Sequence, residues 1–175
     1  MRLADLLASD WLDPAQRETL GGIEIAGLSA DSRAVGDGFA FFAIPGHAGD
    51  GLSYVADAQA RGAKVVIAQR AADCALPVIV VADVRAALAQ AAARFYPRQP
   101  RVIVAVTGTS GKTSVVAFLR QIWAAQGHEA ASLGTVGVVD SSGAHYGALT
   151  TPGPVELHKT LDELAARGEF VERLM

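Results

Sequence analysis

Residues 102–114 read VIVAVTGTSGKTS, an apolar, β-prone run that leads into a glycine turn and then into a Lys-Thr pair. A strand followed by such a turn and a helix can hold a polyphosphate at the helix N-terminus. Glycine lets the backbone approach the anion, successive N–H groups point into the turn, and the helix start adds positive potential. The stretch therefore predicts an α/β fold with a phosphate loop, in which Lys112 supplies a mobile cation and the Thr113 hydroxyl binds Mg²⁺.

The loop departs from the general pattern G-x-x-x-x-G-K-[ST] at its first position. Val106 stands where that pattern has a glycine, and the glycine present is Gly108, inside a compact TGTSGKT. A glycine turn before a helix can also be an ordinary cap, so the loop alone leaves this alternative open. The strand, the turn and the following helix nevertheless occupy the positions that phosphate binding needs.

The composition indicates a folded chain with a real core. The chain has 175 residues, of which 51% are hydrophobic and 19% charged, and this length suits one domain or one domain plus part of another. A net charge of −3 and the lack of a basic stripe argue against nucleic-acid binding. Asp5, Asp10 and Asp13 interrupt the apolar N-terminus, which predicts neither a signal peptide nor membrane insertion. The single cysteine, Cys74, fits a reducing cytoplasm.

The first half of the chain alternates segments typical of strands with segments typical of helices. Short apolar runs bounded by glycine or proline predict buried strands, and the alanine-rich segment after Asp83 predicts a helix that this aspartate caps. Gly62 ends the preceding helix. Accordingly, we expect helices at residues 2–8, 53–61 and 83–95, and strands at residues 23–32, 39–44, 64–69 and 76–82.

A short break containing Pro97, Gln99 and Pro100 marks the expected domain boundary. Residues 1–97 would form a small α/β domain, and residues 98–175 the start of a second domain that opens with the phosphate-loop strand. In this second part we expect strands at residues 130–139 and 171–175, a turn at 140–143 and a helix at 157–166. The helix at residues 112–126 would bury one side, formed by Val115, Val116, Phe118, Leu119, Ile122 and Trp123.

Four short segments resemble, in the same order, the motifs of one protein family. Residues 30–33 (ADSR) resemble its DSR motif, and residues 36–47 resemble its G-D-x-F-x-A-x-x-G-H stretch. Residues 107–113 (TGTSGKT) look like its TGT-N-GKT phosphate loop, and residues 149–152 (LTTP) resemble its TTP segment. The chain therefore resembles the Mur ligases of peptidoglycan synthesis, and within them the MurE type, up to about residue 168.

The resemblance implies a fold and a set of contacts. The fold would be a small N-terminal α/β domain that binds the UDP-linked substrate, followed by the first part of the central P-loop ATPase domain. Lys112 would be the catalytic residue, and Thr113 the metal-binding one. The UDP-linked substrate would contact Ala30, Ser32, His47, Ala48, Gly49, Thr150 and Thr151, and ATP would be held by Gly108, Thr109, Ser110, Gly111, Lys112, Thr113 and Ser114.

The resemblance also implies an activity. MurE-type enzymes are cytoplasmic, ATP-dependent amide ligases that add the third amino acid of the stem peptide to UDP-MurNAc-L-Ala-D-Glu. ATP phosphorylates the terminal carboxylate to an acyl phosphate, the incoming amine of diaminopimelate or lysine attacks, and phosphate leaves. The phosphate loop, with ATP and Mg²⁺, would act by positioning and charge neutralisation rather than by covalent catalysis.

The chain departs from this family pattern in two places. Ser110 replaces the usual asparagine of the phosphate loop but keeps a small polar side chain. Met175 ends the sequence where the family continues into a Met-Glu-x-Ser-Ser-His segment. A glutamate for a second metal, a modified lysine and the domain that binds the incoming amino acid would all follow that point. We therefore expect a fragment that is inactive on its own, and the choice between diaminopimelate and lysine stays open.

Other readings also stay open. A MurF-type ligase shares the DSR motif, but its phosphate loop usually reads TGS and it lacks TTP, so Thr109 and the TTP segment favour the MurE type. A non-catalytic module that binds a UDP-sugar or a nucleotide is a second alternative. An unrelated P-loop kinase or GTPase is a third, although no base-reading motif is visible. Taken singly, the DSR segment, His47 and the TTP segment are each as typical of a turn or a helix approach.

Overall fold

The structure, a computed structural model, describes residues 1–8, 10–46, 49–134, 137–145 and 152–168, and the backbone of residues 170–174. It contains two compact units, Met1–Phe95 and Tyr96–Met175. Each unit combines a sheet with helices, which confirms the α/β class. The boundary expected at residue 97 and the function assigned to each domain stay predictions. Among the described residues, no helix is both long enough and apolar enough to cross a membrane.

The first unit is built on a four-stranded parallel sheet in sequential order. Parallel strands covered on both faces are near-continuous apolar runs. The run VVIA of the third strand fits this rule, because all four of its residues are buried. The strands are β1 (Gly27–Ser29), β2 (Phe39–Phe42), β3 (Val65–Ala68) and β4 (Val78–Val80).

Among the described residues of this unit, four α-helices accompany the sheet: α1 (Leu3–Leu6), α2 (Pro14–Leu20), α3 (Val55–Ala60) and α4 (Val84–Phe95). The predicted cap of α4 is confirmed, because Asp83 Oδ1 accepts hydrogen bonds from the backbone N–H groups of Arg85 at 2.8 Å and Ala86 at 3.1 Å. Sequence reasoning missed α2, which buries no residue and so lacks an apolar stripe. Its signal was the capping box of Asp13 and Gln16, with Pro14 in the first turn.

The strand expected at residues 23–32 is mostly wrong, because β1 contains only Gly27–Ser29. Local side-chain hydrogen bonds end it. Ser29 Oγ accepts from the Asp31 N–H at 3.0 Å, and Asp31 Oδ1 accepts from the Arg33 N–H at 3.0 Å. The backbone therefore turns into a short 3-10 helix, Ser32–Ala34.

The described part of the second unit contains the helices α5 (Lys112–Ala125) and α6 (Pro154–Ala166) and a mixed five-stranded sheet. The strands of this sheet are β5 (Ile103–Val106), β6 (Ala130–Gly134), β7 (Gly137–Asp140), β8 (Gly143–His145) and β9 (Phe170–Leu174). In the order β5-β9-β6-β7-β8, the strand β9 pairs in parallel with both of its neighbours, and the other pairs are antiparallel. The single strand expected at residues 130–139 is wrong, because β6 and β7 form an antiparallel pair.

The prediction that one side of α5 is buried is also wrong for most of its residues. Of its six apolar residues, only Val116 is buried, whereas the exposed fractions of Val115, Phe118 and Ile122 are 45%, 63% and 51%. The strand that precedes α5 lies at one edge of the sheet, and its Ile103 is 41% exposed. The described core of this unit lies elsewhere, between β6 and α6, where Ala131, Leu133, Leu157, Leu161 and Leu164 pack together.

An acidic side chain at the end of β7 connects this hairpin to the C-terminal end of α6. The Asp140 side chain is fully buried and accepts hydrogen bonds from the Ser142 N–H at 2.8 Å and from Arg167 Nη1 at 2.9 Å. Burial alone would raise the pKa of Asp140, but the hydrogen bonds from Ser142 and Arg167 outweigh it and lower the pKa to about 2. This buried carboxylate is therefore ionised at neutral pH, and the Ser142 N–H and the Arg167 side chain donate hydrogen bonds to it.

Candidate functional site

The phosphate-loop stretch forms a strand, a turn and a helix, in the order that its sequence predicts. The strand β5 ends at Val106, and α5 begins at Lys112. Gly108 has φ +149° and Gly111 has φ +77°, both in the region that favours glycine. Gly111 is the N-cap residue of α5, and no side chain caps the helix there. Backbone N–H groups at the start of α5 are therefore available to an anion.

Lys112 is the first residue of α5, and its side chain bends back over the turn. Its Nζ donates a hydrogen bond to the Gly108 carbonyl oxygen. Thr113 and Ser114 follow it in the first turn of the helix, and both are exposed. The turn thus places a cation, two hydroxyl groups and a free helix N-terminus together, and this donor set fits a polyphosphate.

The same turn contains the residue that was expected to bind magnesium, Thr113. Within the described ranges, no cluster of three or more His, Cys, Asp or Glu side chains could hold a metal. Magnesium at nucleotide sites commonly uses few protein ligands and completes its octahedron with phosphate oxygens and water. A single exposed hydroxyl such as that of Thr113 is compatible with that kind of binding.

The DSR segment of the first unit forms a tight, polar turn. Arg33 makes a two-pronged contact with the Asp31 carboxylate, with its Nε 2.9 Å from Oδ1 and its Nη2 2.7 Å from Oδ2. The Arg33 side chain lowers the pKa of Asp31 to about 2, so this carboxylate is ionised at neutral pH. Ser32, between them, is buried, with 6% of its surface exposed.

A cavity of about 670 Å³ opens beside this turn. This volume lies in the range of about 300–1,000 Å³ that is usual for small-molecule sites. The cavity brings the two predicted contacts of this segment, Ala30 and Ser32, together with residues of a second element. Its lining consists of Ala30, Asp31, Ser32, Arg33, Tyr54 and Asp57.

Sequence reasoning missed the two lining residues that come from the second element. Tyr54 precedes α3, and Asp57 lies within it. The Ser32 hydroxyl, and after it Arg61, lowers the pKa of Asp57. Arg61 Nε lies 3.1 Å from Asp57 Oδ1. A signal was present in the spacing of Tyr54, Asp57 and Arg61, which places these residues close together on a helix.

The other predicted substrate contacts are only partly within the described residues. Gly49 is exposed, its carbonyl oxygen accepts from the Gly46 N–H at 3.0 Å, and a Cβ added to Gly49 would lie 3.4 Å from Tyr54 Oη. Gly49 therefore borders a residue that lines the cavity. His47, Ala48, Thr150 and Thr151 lie outside the described residues.

Parallel strands in both units, together with a strand–glycine turn–helix arrangement, define an α/β protein of the phosphate-loop class. Comparison with known proteins narrows this class. Residues 24–96 match the Mur ligase family, catalytic domain, and residues 106–171 match the Mur ligase middle domain. The chain belongs to the Mur ligase family.

Individual relatives carry more specific names. The chain is 53% identical over 149 residues to the UDP-N-acetylmuramoyl-L-alanyl-D-glutamate--2,6-diaminopimelate ligase of Agrobacterium fabrum, which covers 85% of this chain and 30% of that ligase. It is 48% identical over 170 residues to the ligase of the same name from Bradyrhizobium diazoefficiens, which covers 96% of this chain and 34% of the relative. The chain thus spans about a third of the length of these curated relatives.

Solved structures of two types of Mur ligase are similar to the chain. A structure of a UDP-N-acetylmuramoyl-L-alanyl-D-glutamate--2,6-diaminopimelate ligase is similar with a TM-score of 0.74 at 27% identity, over 86% of this chain and 31% of that one. MurF from Acinetobacter baumannii is similar with a lower TM-score of 0.58 at 27% identity, over 86% of this chain and 30% of the MurF chain.

Proposed function

We propose that this chain supplies the nucleoside-diphosphate site and the ATP phosphate site of a ligase that joins 2,6-diaminopimelate to UDP-N-acetylmuramoyl-L-alanyl-D-glutamate. The observation that carries this proposal is the similarity of both units, in one chain, to ligases that bear this name. Those names also favour diaminopimelate over lysine. The polar cavity in the first unit and the phosphate loop in the second support the same assignment.

In this proposal the first unit receives the UDP end of the substrate. Ala30 and Ser32 contact it from the cavity lining, and Gly49 does so from the neighbouring loop. His47, Ala48, Thr150 and Thr151 are further proposed contacts, on the strength of the sequence motifs alone. The intact protein would act in the cytoplasm, in keeping with the single cysteine of this chain.

The second unit would hold ATP and Mg²⁺ along residues 108–114. ATP supplies the phosphoryl group that activates the substrate carboxylate. Lys112 Nζ would leave the Gly108 carbonyl for a phosphate oxygen and neutralise part of its charge. The Thr113 hydroxyl would serve as a Mg²⁺ ligand, and the N–H groups at the start of α5 would fix the phosphate position. The protein's part in the chemistry is positioning and charge stabilisation.

Two alternatives are less well supported. A MurF-type ligase would add a dipeptide to a tripeptide substrate, but the MurF structure is the weaker structural match, with a TM-score of 0.58 against 0.74. A binding module without catalysis could also use the phosphate loop, but the relatives that the chain resembles over most of its length are named as ligases.

A chimera tests the proposal directly. Residues 1–175 would replace the matching third of the Bradyrhizobium diazoefficiens relative, to which 170 residues align. We expect ADP release only when ATP, UDP-N-acetylmuramoyl-L-alanyl-D-glutamate and diaminopimelate are all present. Lys112→Ala should reduce this rate by roughly 100-fold or more, as expected when a preorganised donor to a transferring phosphate is removed.

A matched lysine provides the control. Lys64 is a half-exposed surface residue of the first unit that pairs with Asp37 at 3.5 Å and does not line the cavity. Lys64→Ala should keep the rate of the chimera within about twofold. A folded chimera that is inactive with all three substrates would contradict the proposal, and one that requires D-alanyl-D-alanine instead would favour the MurF type.

A further inference from the structure

The carboxyl ends of the four strands in the first unit lie at one edge of its sheet, because all three strand pairs are parallel. The DSR turn follows β1 at this edge, and the loop at residues 45–50 follows β2. Arg70 follows β3, and Arg85 lies in the first turn of α4, after β4. Ligands of open α/β sheets bind outside the carboxyl ends of the strands. Two exposed arginines therefore share a sheet edge with the two segments that are proposed to contact the substrate.

The loop after β2 has a narrow base, formed by the four described residues at its two ends, which are Pro45, Gly46, Gly49 and Asp50. Pro45 and Asp50 form an antiparallel bridge. The Gly46 N–H donates a hydrogen bond to the Gly49 carbonyl oxygen at 3.0 Å. Pro45, Gly46 and Gly49 are exposed, so apolar burial contributes little to the position of this loop base.

Arg85 and Arg70 contact opposite sides of the loop base. Arg85 Nη2 donates a hydrogen bond to the Pro45 carbonyl oxygen at 3.2 Å. Arg70 Nη2 donates one to Asp50 Oδ2, and Asp50 Oδ1 accepts from the Leu52 N–H at 3.1 Å. The Leu52 N–H and, after it, Arg70 lower the pKa of Asp50, so this carboxylate is ionised at neutral pH. Each arginine thus joins one side of the loop base to a segment that follows another strand of the sheet.

These contacts are poorly suited to a purely stabilising role. The Arg70 side chain is 70% exposed, and Arg85 is exposed as well. Exposed ion pairs and single hydrogen bonds add little to global stability. Neither arginine lines the cavity beside the DSR turn. What the two contacts do restrict is the place of the loop base, and with it the place of Gly49.

We propose that Arg70 and Arg85 are positioning residues, which hold the loop base where Gly49 borders the cavity. They act through Asp50 and Pro45 and do not touch the substrate themselves. The inference rests on the proposed function, from which the substrate contact of Gly49 comes. A loop that is held in place before the ligand arrives loses less conformational entropy on binding, so the two arginines raise the affinity for the UDP-linked substrate.

Amide exchange of the unliganded 175-residue chain, measured by NMR, tests whether the arginines hold the loop base. Arg85→Ala and Arg70→Ala should each speed exchange of the Gly46 and Leu52 amides about fivefold, as expected for the loss of one net hydrogen bond. The urea unfolding midpoint should stay unchanged. Unchanged exchange of both amides in both variants would overturn the inference, and so would a lowered midpoint with faster exchange throughout the unit.

A matched arginine of the same unit provides the control. Arg2 has a side chain that is 63% exposed and pairs with Asp5 at 2.9 Å, in the same kind of surface contact as that of Arg70 with Asp50. Arg2→Ala should therefore change the exchange of neither loop amide.

Titration of the same chain with UDP, with NMR chemical shifts as the readout, tests the consequence for binding. Arg85→Ala and Arg70→Ala should each weaken UDP binding about fivefold. Arg85→Lys and Arg70→Lys keep a donor for Pro45 and a cation for Asp50, and should stay within about twofold of the wild type. The double variant Arg70→Ala with Asp50→Asn should bind UDP no more weakly than Asp50→Asn alone, because Arg70 acts through Asp50.

The outcomes separate this inference from the proposed function. If the wild-type chain binds UDP and both alanine variants bind it equally well, the positioning role is wrong and the proposed function is untouched. Additive losses in the double variant would show that Arg70 acts on the ligand independently of Asp50, and would also overturn the inference. Failure of the wild-type chain to bind UDP would contradict the proposed function and the binding part of the inference, whereas exchange in the unliganded chain still decides whether the arginines hold the loop base.

Discussion

The two units pack their sheets differently. In the first unit, all four residues of β3 are inaccessible to solvent, because apolar neighbours cover the sheet on both faces. In the second unit, Ile103 of β5 and Phe118 of α5 are 41% and 63% exposed. The phosphate loop connects these two partly exposed elements, the strand β5 and the helix α5. Within the loop, Gly108 and Gly111 have positive φ, and Lys112 Nζ donates a hydrogen bond to the Gly108 carbonyl oxygen.

This difference has a consequence for the roles of the two sites. The cavity lies beside the buried Ser32 and the helix α3, which buries Val55 and Ala58. The phosphate loop lies on elements with fewer buried apolar side chains, and regions of that kind open locally at lower free energy. We expect the first unit to be sensitive to changes in its core, and the phosphate-loop region to tolerate them.

The largest difference in stability is expected between the alanine variants of two phenylalanines. Phe41 is 1% exposed in β2, so Phe41→Ala should lower the free energy of unfolding of the first unit by about 3–5 kcal/mol. Phe118 is 63% exposed in α5, so Phe118→Ala should change the stability of the second unit by less than about 0.5 kcal/mol. Urea unfolding, followed by a probe in each unit, measures both values. Equal losses in the two variants would contradict the difference in packing.

A smaller effect is expected from two glycines with positive φ. Gly62 has φ +102°, and a Cβ there would lie 2.7 Å from the Asp37 Cα. Gly62→Ala should therefore cost about 2–4 kcal/mol, from backbone strain together with overpacking. Gly111 has φ +77° with no atom within 4 Å of an added Cβ, so Gly111→Ala should cost only the strain, about 1–2 kcal/mol. Thermal unfolding of both variants measures the two costs. A larger loss of stability in Gly111→Ala than in Gly62→Ala would contradict the comparison.

The smallest of these stability effects distinguishes a buried aspartate from an exposed one. The pKa of Asp140 is lowered from 3.8 to about 2, and its side chain is fully buried, so Asp140→Asn should lower the stability of the second unit by about 2 kcal/mol at pH 7. The pKa of Asp31 is also about 2, but its side chain is 46% exposed. Solvent screening should hold the cost of Asp31→Asn below about 1 kcal/mol.

The lowered pKa of Asp140 also predicts how the stability of the second unit depends on pH. A carboxylate with a lowered pKa in the folded state contributes its full stability above its ordinary pKa, and loses that contribution as the pH falls through the folded-state value. The second unit should therefore lose about 2 kcal/mol between about pH 4 and pH 2, and Asp140→Asn should remove this loss. Acid titration of unfolding at fixed urea measures both curves, and parallel curves would contradict the role of Asp140.

Local signals in the sequence predicted the elements that depend on local rules. Asp83 marked the start of α4, and the strand–turn–helix around Gly111 appeared where its glycine and lysine predicted it. Long-range arrangement was not predictable in the same way. The apolar stripe of α5 predicted burial, but β5 lies at a sheet edge, and no local pattern reveals which strands will be neighbours.

The cavity shows the same limit. The motif residues Ala30 and Ser32 were predictable as contacts, whereas Tyr54 and Asp57 come from a different element that the fold brings beside them. The hairpin of β6 and β7 was predicted as one strand that Gly134 and Gly137 interrupt. The two glycines in fact pair with each other where the chain reverses, and Gly137 has φ +92°.

Hydrogen exchange on the 175-residue chain, with UDP or with MgATP, tests most directly whether each unit carries its own ligand site. The account predicts that UDP slows amide exchange at residues 29–34 and 49–57, and that MgATP slows it at residues 107–116. Lys112→Ala should remove only the second effect. Protection by UDP confined to the phosphate loop, or MgATP protection that is unchanged in Lys112→Ala, would contradict the assignment of the two sites.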